Sequence, residues 1–329
     1  MQNLRPTIER GRPKIGLAFS GGTLRAIAQL GILEVFDEHR IPIDYIAAAS
    51  SGCITAAAYA CGTLQKLKET WFSLDNDKLK SLVGREGANG GIYHLRKMED
   101  FLRQFTENKH FEDVKPRLAF VAVDIVAGEE VAIQMGDIAR AARISCSVPG
   151  IFEPVKWGGR LLVDGGLLLD TVPVSFVREM GGDIIIGVDI ADSKYVFGNY
   201  GWLIYFWKKY IYLRQNSISK FLSSANRYLK SHLQKILPDF GSEVENYAVD
   251  LDEKKRSTFS VLSRSLDVMI EKKYRHEISE SKSEVLLLPP IKHLRSYDTK
   301  NVAACYEEGR RAAEAAMPRI KRLIENYGI

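Results

Sequence analysis

Two strand-to-helix turns near the start of the chain constrain its fold more than any other feature. Lys14–Ser20 is apolar and predicts a buried strand, and the Gly21–Gly22 pair after it predicts a tight turn into a helix with apolar residues at helical spacing. Pro42 ends that helix, and Tyr45–Ser50 predicts a second strand, which runs through Gly52 into an alanine-rich helix. Because strand–turn–helix units joined by short links form parallel sheets, the chain is predicted to be an α/β protein.

Further apolar segments predict the rest of one large sheet. The predicted strands are Leu118–Asp124, Glu130–Gln134, Arg160–Val163, Asp183–Ile190 and Ser283–Leu288, and a closing amphipathic helix is predicted over Lys300–Tyr327. Between the second and third strands, Trp71–Phe111 is polar and helix-prone, with a glycine-rich loop over residues 84–91. The chain is predicted to be a single domain, residues 1–329, with a helical insertion at 193–282.

Ser50 stands where the second predicted strand turns into its helix. A serine on such a turn exposes its Oγ at the sheet edge, close to a helix N-terminus whose N–H groups stabilise a developing anion. The pattern therefore favours a nucleophile. Two other interpretations stay open for Tyr45–Gln65, which carries no charge: a purely structural strand and helix, or a membrane span, for which the stretch is too weakly apolar.

Composition favours a folded protein without a metal or other cofactor. The chain is 46% hydrophobic and 26% charged, which is ordinary for a soluble domain, and Met1–Lys14 lacks the apolar core of a secretory signal. Its cysteines show neither a CxxC pair nor zinc-like spacing, so we expect free thiols in a reducing compartment: Cys53, Cys61, Cys146 and Cys305. We expect a cytoplasmic protein with no transmembrane span.

One basic and aromatic segment accounts for the net charge of +5. Residues 193–238 contain eight Lys or Arg and no Asp or Glu, and eleven aromatic residues lie between Tyr195 and Tyr228. Trp and Tyr favour the bilayer interface, and Lys and Arg favour anionic headgroups. Residues 195–236 are therefore predicted to bring the protein peripherally onto an anionic membrane surface, with these contact residues: Trp202, Trp207, Lys208 and Lys209.

Other interpretations of this insertion stay open. Its aromatic side chains also suit a lid over a lipid pocket, or the interface of a homodimer, where aromatics and Arg are enriched. Basic and stacking residues also suit nucleic acid, although we do not expect a nucleic-acid partner.

The remaining polar signals suit acyl transfer, which needs a nucleophile, a base and N–H donors for an oxyanion. Ser50 provides the nucleophile, and the unpaired N–H groups of the Gly21-Gly22-Thr23 turn provide the donors. Asp164 follows a predicted strand and precedes Gly165 and Gly166, which let the backbone bend so that the carboxylate faces across the sheet. A plain turn is the alternative for this Asp-Gly-Gly. A free Asp is a weak base at neutral pH, so Asp164 must be desolvated or hydrogen-bonded.

Taken in order, these segments resemble the bacterial patatin-like phospholipases. Ser20–Arg25 stands at the family's glycine-rich oxyanion turn, Ala48–Gly52 at its GxSxG elbow and Asp164–Gly166 at its DG[GA] turn. Arg143–Val155 is similar to the family's stretch before the dyad Asp. The likeness covers about residues 14–190 and 283–327. It implies a three-layer α/β/α sandwich with a mainly parallel central sheet.

The resemblance also implies a function. It implies a serine acyl hydrolase that cleaves esters of phospholipids, lysophospholipids or related lipids, with Ser50 as nucleophile, Asp164 as base and no metal. The oxyanion turn would comprise Gly21, Gly22 and Thr23, with Arg25 fixing the turn or neutralising a nearby phosphate, and Gly165 and Gly166 would support the dyad turn. A catalytically weak lipid-binding or regulatory module and an acyltransferase are the alternatives.

Four positions depart from the family pattern: Thr23, Ala26, Gln29 and Ala48 replace three glycines and a common histidine. Because threonine is unfavourable at positive φ, the oxyanion turn is expected to differ or to be strained.

Two rival assignments of the chemistry remain. Ser51 is a rival nucleophile, but Cys53 rather than glycine stands two places after it. A Ser–His–Asp triad is the other rival, with candidate histidines that follow Asp164 in the chain: His232, His276 and His293.

Overall fold

The structure is a computed structural model that describes residues 11–85, 93–149, 151–165, 172–191, 283–294 and 298–327. Residues 192–282 lie outside the described part, so the predictions for the insertion, including Trp202, Trp207, Lys208 and Lys209, remain predictions. Gly166 and most of the glycine-rich loop at 84–91 also lie outside it.

A central sheet forms from strands spread over the whole described chain. They are β1 (Ile15–Phe19), β2 (Ile43–Ala49), a short β3–β4 pair (Gly84–Arg85 and Tyr93–His94) that stands apart, β5 (Arg117–Asp124), β6 (Glu129–Ile133), β7 (Val155–Trp157), β8 (Arg160–Asp164), β9 (Ile184–Val188) and β10 (Val285–Leu287). The order in the main sheet is β10-β9-β1-β2-β5-β8-β7, with β6 also paired to β5. Strands β10 to β5 are parallel, whereas β6, β7 and β8 add antiparallel pairs.

The described helices are α1 (Ile27–Glu38), α2 (Gly52–Ala60), α3 (Leu64–Phe72), α4 (Asn76–Ser81), α5 (Arg96–Thr106), α6 (Ile138–Ser145), α7 (Val174–Glu179) and α8 (Val302–Glu325). Short 3-10 turns precede α1, at Thr23–Ala26, and α8, at Thr299–Asn301. The helix predicted after the Gly21–Gly22 turn therefore begins with a 3-10 turn. Among the described residues, no helix combines the length and the apolar character that crossing a membrane requires.

Helices cover both faces of the sheet, and the strand side chains alternate between them. Leu17 and Phe19 of β1 point into the larger core, which α1, α2, α6 and α8 cover. On the other face, α7 places Val177 against small strand residues: Ala18, Ala47 and Ala119. Every residue of β1 is buried, as the apolar sequence predicts for a central parallel strand. The predicted α/β class, with a mainly parallel sheet between helical layers, is confirmed.

Candidate active site

The carboxyl ends of two strands meet on one edge of β5. β2 runs parallel to β5 and its Ala49 pairs with Val121, whereas β8 runs antiparallel and its Asp164 pairs with Ala122. β6 takes the opposite edge of β5. Because Val121 and Ala122 are neighbours, the register of the sheet brings Ser50, which follows Ala49, beside Asp164. The sheet therefore juxtaposes two residues that are 114 positions apart in the sequence.

Ser50 and Asp164 are joined by a hydrogen bond. The Ser50 Oγ donates to Asp164 Oδ2 over 2.8 Å. Ser50 has a φ of 51°, in the left-handed region, as expected for a serine at a strand-to-helix turn. It lies two residues before the first residue of α2 and is partly exposed, whereas Asp164 is 2% exposed. Asp164 is therefore both buried and hydrogen-bonded, the two conditions named above for this carboxylate.

Glycine is required at two positions that contact this pair. A Cβ at Gly21 would lie 2.6 Å from the Ser50 Cβ, so any larger residue would displace the serine. A Cβ at Gly165 would lie 2.6 Å from the Val121 carbonyl oxygen. Where the chain leaves β8, its backbone therefore packs directly against β5 and leaves no room for a side chain. Both glycines were predicted from the sequence as part of the site, and close approach of the backbone explains both.

The glycine turn lies beside the elbow, but one of its N–H groups has a partner. The Gly22 N–H donates to the Ser51 Oγ over 3.0 Å. Thr23 is exposed with a φ of 56°, the left-handed conformation that threonine disfavours. Thr23 therefore adopts the backbone conformation for which strain is expected.

The side chains of Arg25 and Gln29 donate hydrogen bonds to backbone carbonyl oxygens close to the glycine turn. Arg25 is 2% exposed, and its guanidinium donates to the carbonyl oxygens of Lys292 and Leu294 at 2.5–3.0 Å. These bonds join the 3-10 turn to the loop after β10, and the role expected of Arg25 stays a prediction. Gln29 is buried, and its Nε2 donates to the Ser20 carbonyl oxygen over 2.8 Å.

A short segment at the end of α6 contacts the backbone of both Ser50 and Asp164. The Ser50 N–H donates to the Ser145 Oγ over 2.8 Å, and the Asp164 N–H donates to the Ser147 carbonyl oxygen over 2.9 Å. Sequence reasoning assigned no role to either serine. Both serines lie in Arg143–Val155, and the resemblance of this stretch to the family's segment before the dyad Asp is the sequence feature that points to them.

Two cysteine thiols lie close to the pair. Burial raises the pKa of Cys146, and the neighbouring Cys53 thiol and Asp164 carboxylate add to that rise, against an opposing contribution from Ser50. Burial likewise raises the pKa of Cys53. Because the thiolate is the reactive form, both groups are protonated at neutral pH and compete poorly with Ser50 as nucleophiles.

The rival assignments find less support in the described residues. Ser51 is buried, and its Oγ accepts the Gly22 N–H. His293 lies exposed in the loop that Arg25 holds, while His232 and His276 fall outside the described residues.

Comparison with known proteins shows what the chain is similar to. A model of the family described as patatin-like phospholipase matches residues 17–177. An uncharacterized NTE family protein of Mycobacterium tuberculosis is 29% identical over 182 residues, which are 55% of this chain and 50% of that protein. The lysophospholipase NTE1 of Phaeosphaeria nodorum is 28% identical over 207 residues, 56% of this chain and 13% of that protein. The match thus spans at most about half the length of these relatives.

One solved structure is a weaker comparison. VipD from Legionella pneumophila aligns with 96% of this chain and 76% of its own, at 14% sequence identity and a TM-score of 0.30. This score is too low to support a structural argument.

Proposed function

We propose that the chain, whose residues 17–177 match the patatin-like phospholipase family, is a serine acyl hydrolase acting on esters of phospholipids, lysophospholipids or related lipids. The observation that carries the proposal is the 2.8 Å hydrogen bond from the Ser50 Oγ to the buried Asp164. A serine hydroxyl that already donates to a carboxylate is oriented for proton transfer to it.

The first half of the reaction forms an acyl-enzyme. The Ser50 Oγ attacks the ester carbonyl carbon while its proton passes to Asp164 Oδ2, which gives a tetrahedral oxyanion. When the oxyanion collapses, the bond to the alcohol oxygen breaks, and the departing alcohol takes the proton from Asp164. Ser50 is left esterified to the acyl chain.

The second half releases the fatty acid. A water molecule gives a proton to Asp164 as its oxygen attacks the acyl carbon, and collapse of the second tetrahedral intermediate breaks the bond to the Ser50 Oγ. The proton on Asp164 then returns to Ser50, so that serine and carboxylate are regenerated. Each half uses the same Oγ–carboxylate contact, and the reaction needs no further co-reactant.

The oxyanion donors are proposed to be the N–H groups of Gly22 and Thr23. Thr23 opens a 3-10 turn, and the first N–H groups of a helical turn have no carbonyl partner within it. For Gly22 this role requires that the Ser51 Oγ, which accepts its N–H over 3.0 Å, release that N–H. Loss of one oxyanion donor typically lowers kcat by about 10²–10³.

A second candidate is a lipid-binding module with weak catalysis. Two observations in the turn favour it: the left-handed Thr23 and the engagement of the Gly22 N–H by Ser51. An acyltransferase, which would deliver the acyl group to an alcohol rather than to water, is distinguished by its product.

Ester turnover and active-site labelling test the proposal. We expect wild type to hydrolyse p-nitrophenyl esters and a lysophospholipid, and Ser50→Ala and Asp164→Asn to lose at least about 10³-fold in kcat. A fluorophosphonate should label wild type and Ser51→Ala, but not Ser50→Ala. Undiminished turnover in Ser50→Ala would disprove the assigned nucleophile. Binding of lysophospholipid without turnover or labelling would favour the weak module, and an acylated alcohol in place of free acid would favour acyl transfer.

A further inference from the structure

We propose that Ser145 is a positioning residue for the nucleophile, because its hydroxyl holds the backbone N–H of Ser50 and thereby keeps the elbow in the conformation that directs the Ser50 Oγ to Asp164. The inference deepens the proposed function and rests on it for its catalytic consequence. The contact itself can be measured whether or not the protein hydrolyses esters.

The Ser145 hydroxyl joins the end of β2 to β5. It accepts the Ser50 N–H over 2.8 Å and donates to the Val121 carbonyl oxygen over 2.6 Å. Val121 is the residue opposite Ala49, the last residue of β2. The hydroxyl therefore links the two strands at the point where β2 ends and the elbow leaves the sheet.

Two features make this link important. Ser145 is fully buried, so solvent water cannot replace its hydroxyl. If the hydroxyl were removed, the Ser50 N–H and the Val121 carbonyl would each lose a hydrogen-bond partner. Ser50 also has a φ of 51°, a conformation that a non-glycine residue keeps only when its surroundings hold it. Loss of the hydroxyl would therefore let the elbow relax and move the Oγ away from Asp164.

The end of α6 that carries Ser145 is itself fixed. The Arg143 guanidinium donates to Glu99 and Glu153 at 2.9 and 3.2 Å, and Glu153 also accepts from Arg96. This ion-pair group ties α6 to α5 and to the segment before β7. The hydroxyl is thus presented from a rigid element, which is what precise positioning requires.

Ser147 provides a matched control. It is a serine two residues away with 1% exposure, and its Oγ donates to the Arg143 carbonyl oxygen. Its link to Asp164 runs through its backbone carbonyl, which Ser147→Ala retains. The two alanine variants therefore remove equally buried hydroxyls, of which only the Ser145 hydroxyl contacts the nucleophile.

The test compares Ser145→Ala, Ser147→Ala and Ser145→Thr in the full chain, with thermal unfolding used to choose a temperature at which all are folded. Amide hydrogen exchange at Ser50 is expected to accelerate at least about 10-fold in Ser145→Ala only, because an amide exchanges when its hydrogen bond opens. With a p-nitrophenyl ester, kcat should fall about 10–100-fold in Ser145→Ala, with KM changed by less than about 3-fold. Ser145→Thr, which keeps a hydroxyl, should recover both properties.

Several results would overturn the proposal. Unchanged Ser50 exchange in Ser145→Ala would show that the contact does not hold the elbow. Equal losses of kcat in the two alanine variants, or a failure of Ser145→Ala alone to fold, would show that the hydroxyl has only a structural role. If wild type hydrolyses no ester while the exchange result is as expected, the proposed function fails and the positioning contact stands.

Discussion

Two residues close to the candidate site occupy the left-handed backbone region, and they differ in what holds them. Ser50, at φ 51°, is held by the Ser145 hydroxyl and packs tightly against Gly21. Thr23, at φ 56°, is exposed, and a β-branched residue is especially unfavourable there. Such strain amounts to about 1–3 kcal/mol per residue, so Thr23 is the position at which the turn is most easily improved.

We predict that Thr23→Gly stabilises the protein, because glycine adopts positive φ without steric conflict. The expected gain in the free energy of unfolding is about 0.5–1 kcal/mol, after the greater freedom of glycine in the unfolded chain is counted. Chemical denaturation measures it. Thr70→Gly, within α3, is the control and should lower stability by at least about 0.5 kcal/mol, since helix propensity falls and the hydrogen bond from the Thr70 Oγ1 to the Lys66 carbonyl oxygen is lost. A loss at Thr23 as large as that at Thr70 would show that the turn is unstrained.

At the scale of elements, α1 and α8 cross at a pair of glycines. A Cβ at Gly309 would lie 2.0 Å from the Ala28 carbonyl oxygen, and one at Gly31 would lie 2.5 Å from the Tyr306 carbonyl oxygen. The two backbones are therefore nearly in contact. Polar side chains beside the crossing stabilise it. Lys68 forms an ion pair with Glu34, and the Tyr306 hydroxyl donates a hydrogen bond to the same carboxylate.

Gly309→Ala sets helix propensity against packing, and we predict that packing prevails. Alanine should favour the helix by about 1 kcal/mol, but its methyl group would meet backbone atoms, which cannot rotate away. The expected net loss in the free energy of unfolding is about 1–3 kcal/mol. The reverse change at an exposed site of the same helix, Ala304→Gly, measures propensity alone and should cost about 1 kcal/mol. Stabilisation by Gly309→Ala would mean that the helices are not in close contact.

The elements themselves could be predicted from the sequence more readily than their pairing. Apolar segments predicted β1, β2, β5, β9 and β10 to within one or two residues, because buried parallel strands are almost continuously apolar. The sequence gives no comparable signal that β8 runs antiparallel to β5 and ends opposite Ala122, since hydrophobicity does not encode strand direction. Ser145 was missed for the same reason: its role depends on contacts with β2 and β5 that local sequence does not show.

At the scale of the whole molecule, the candidate site exists only when the sheet is complete. Ser50 and Asp164 are 114 residues apart, and Ser145 is 95 residues from Ser50. Arg25 connects the glycine turn to a loop 269 residues further on. Short motifs predicted Ser50, Asp164 and the glycine turn as site residues, whereas their contacts with α6 and with the loop after β10 required the three-dimensional fold.

We propose, on the sequence alone, that the basic aromatic segment 195–236 brings the whole protein to anionic membranes. Vesicles containing phosphatidylserine should bind the chain more tightly than neutral vesicles, and high salt should weaken the binding because it screens exposed charges. Lys208→Gln/Lys209→Gln should lower affinity by about 10-fold or more, since each surface lysine contributes about 1 kcal/mol. The matched control is Lys78→Gln/Lys80→Gln on α4, where both lysines are exposed, and it should leave binding unchanged. If both double variants lost the same affinity, the attraction would depend on net charge alone and not on this segment. If the wild type bound neutral vesicles equally well, the segment would make no electrostatic contribution to membrane binding.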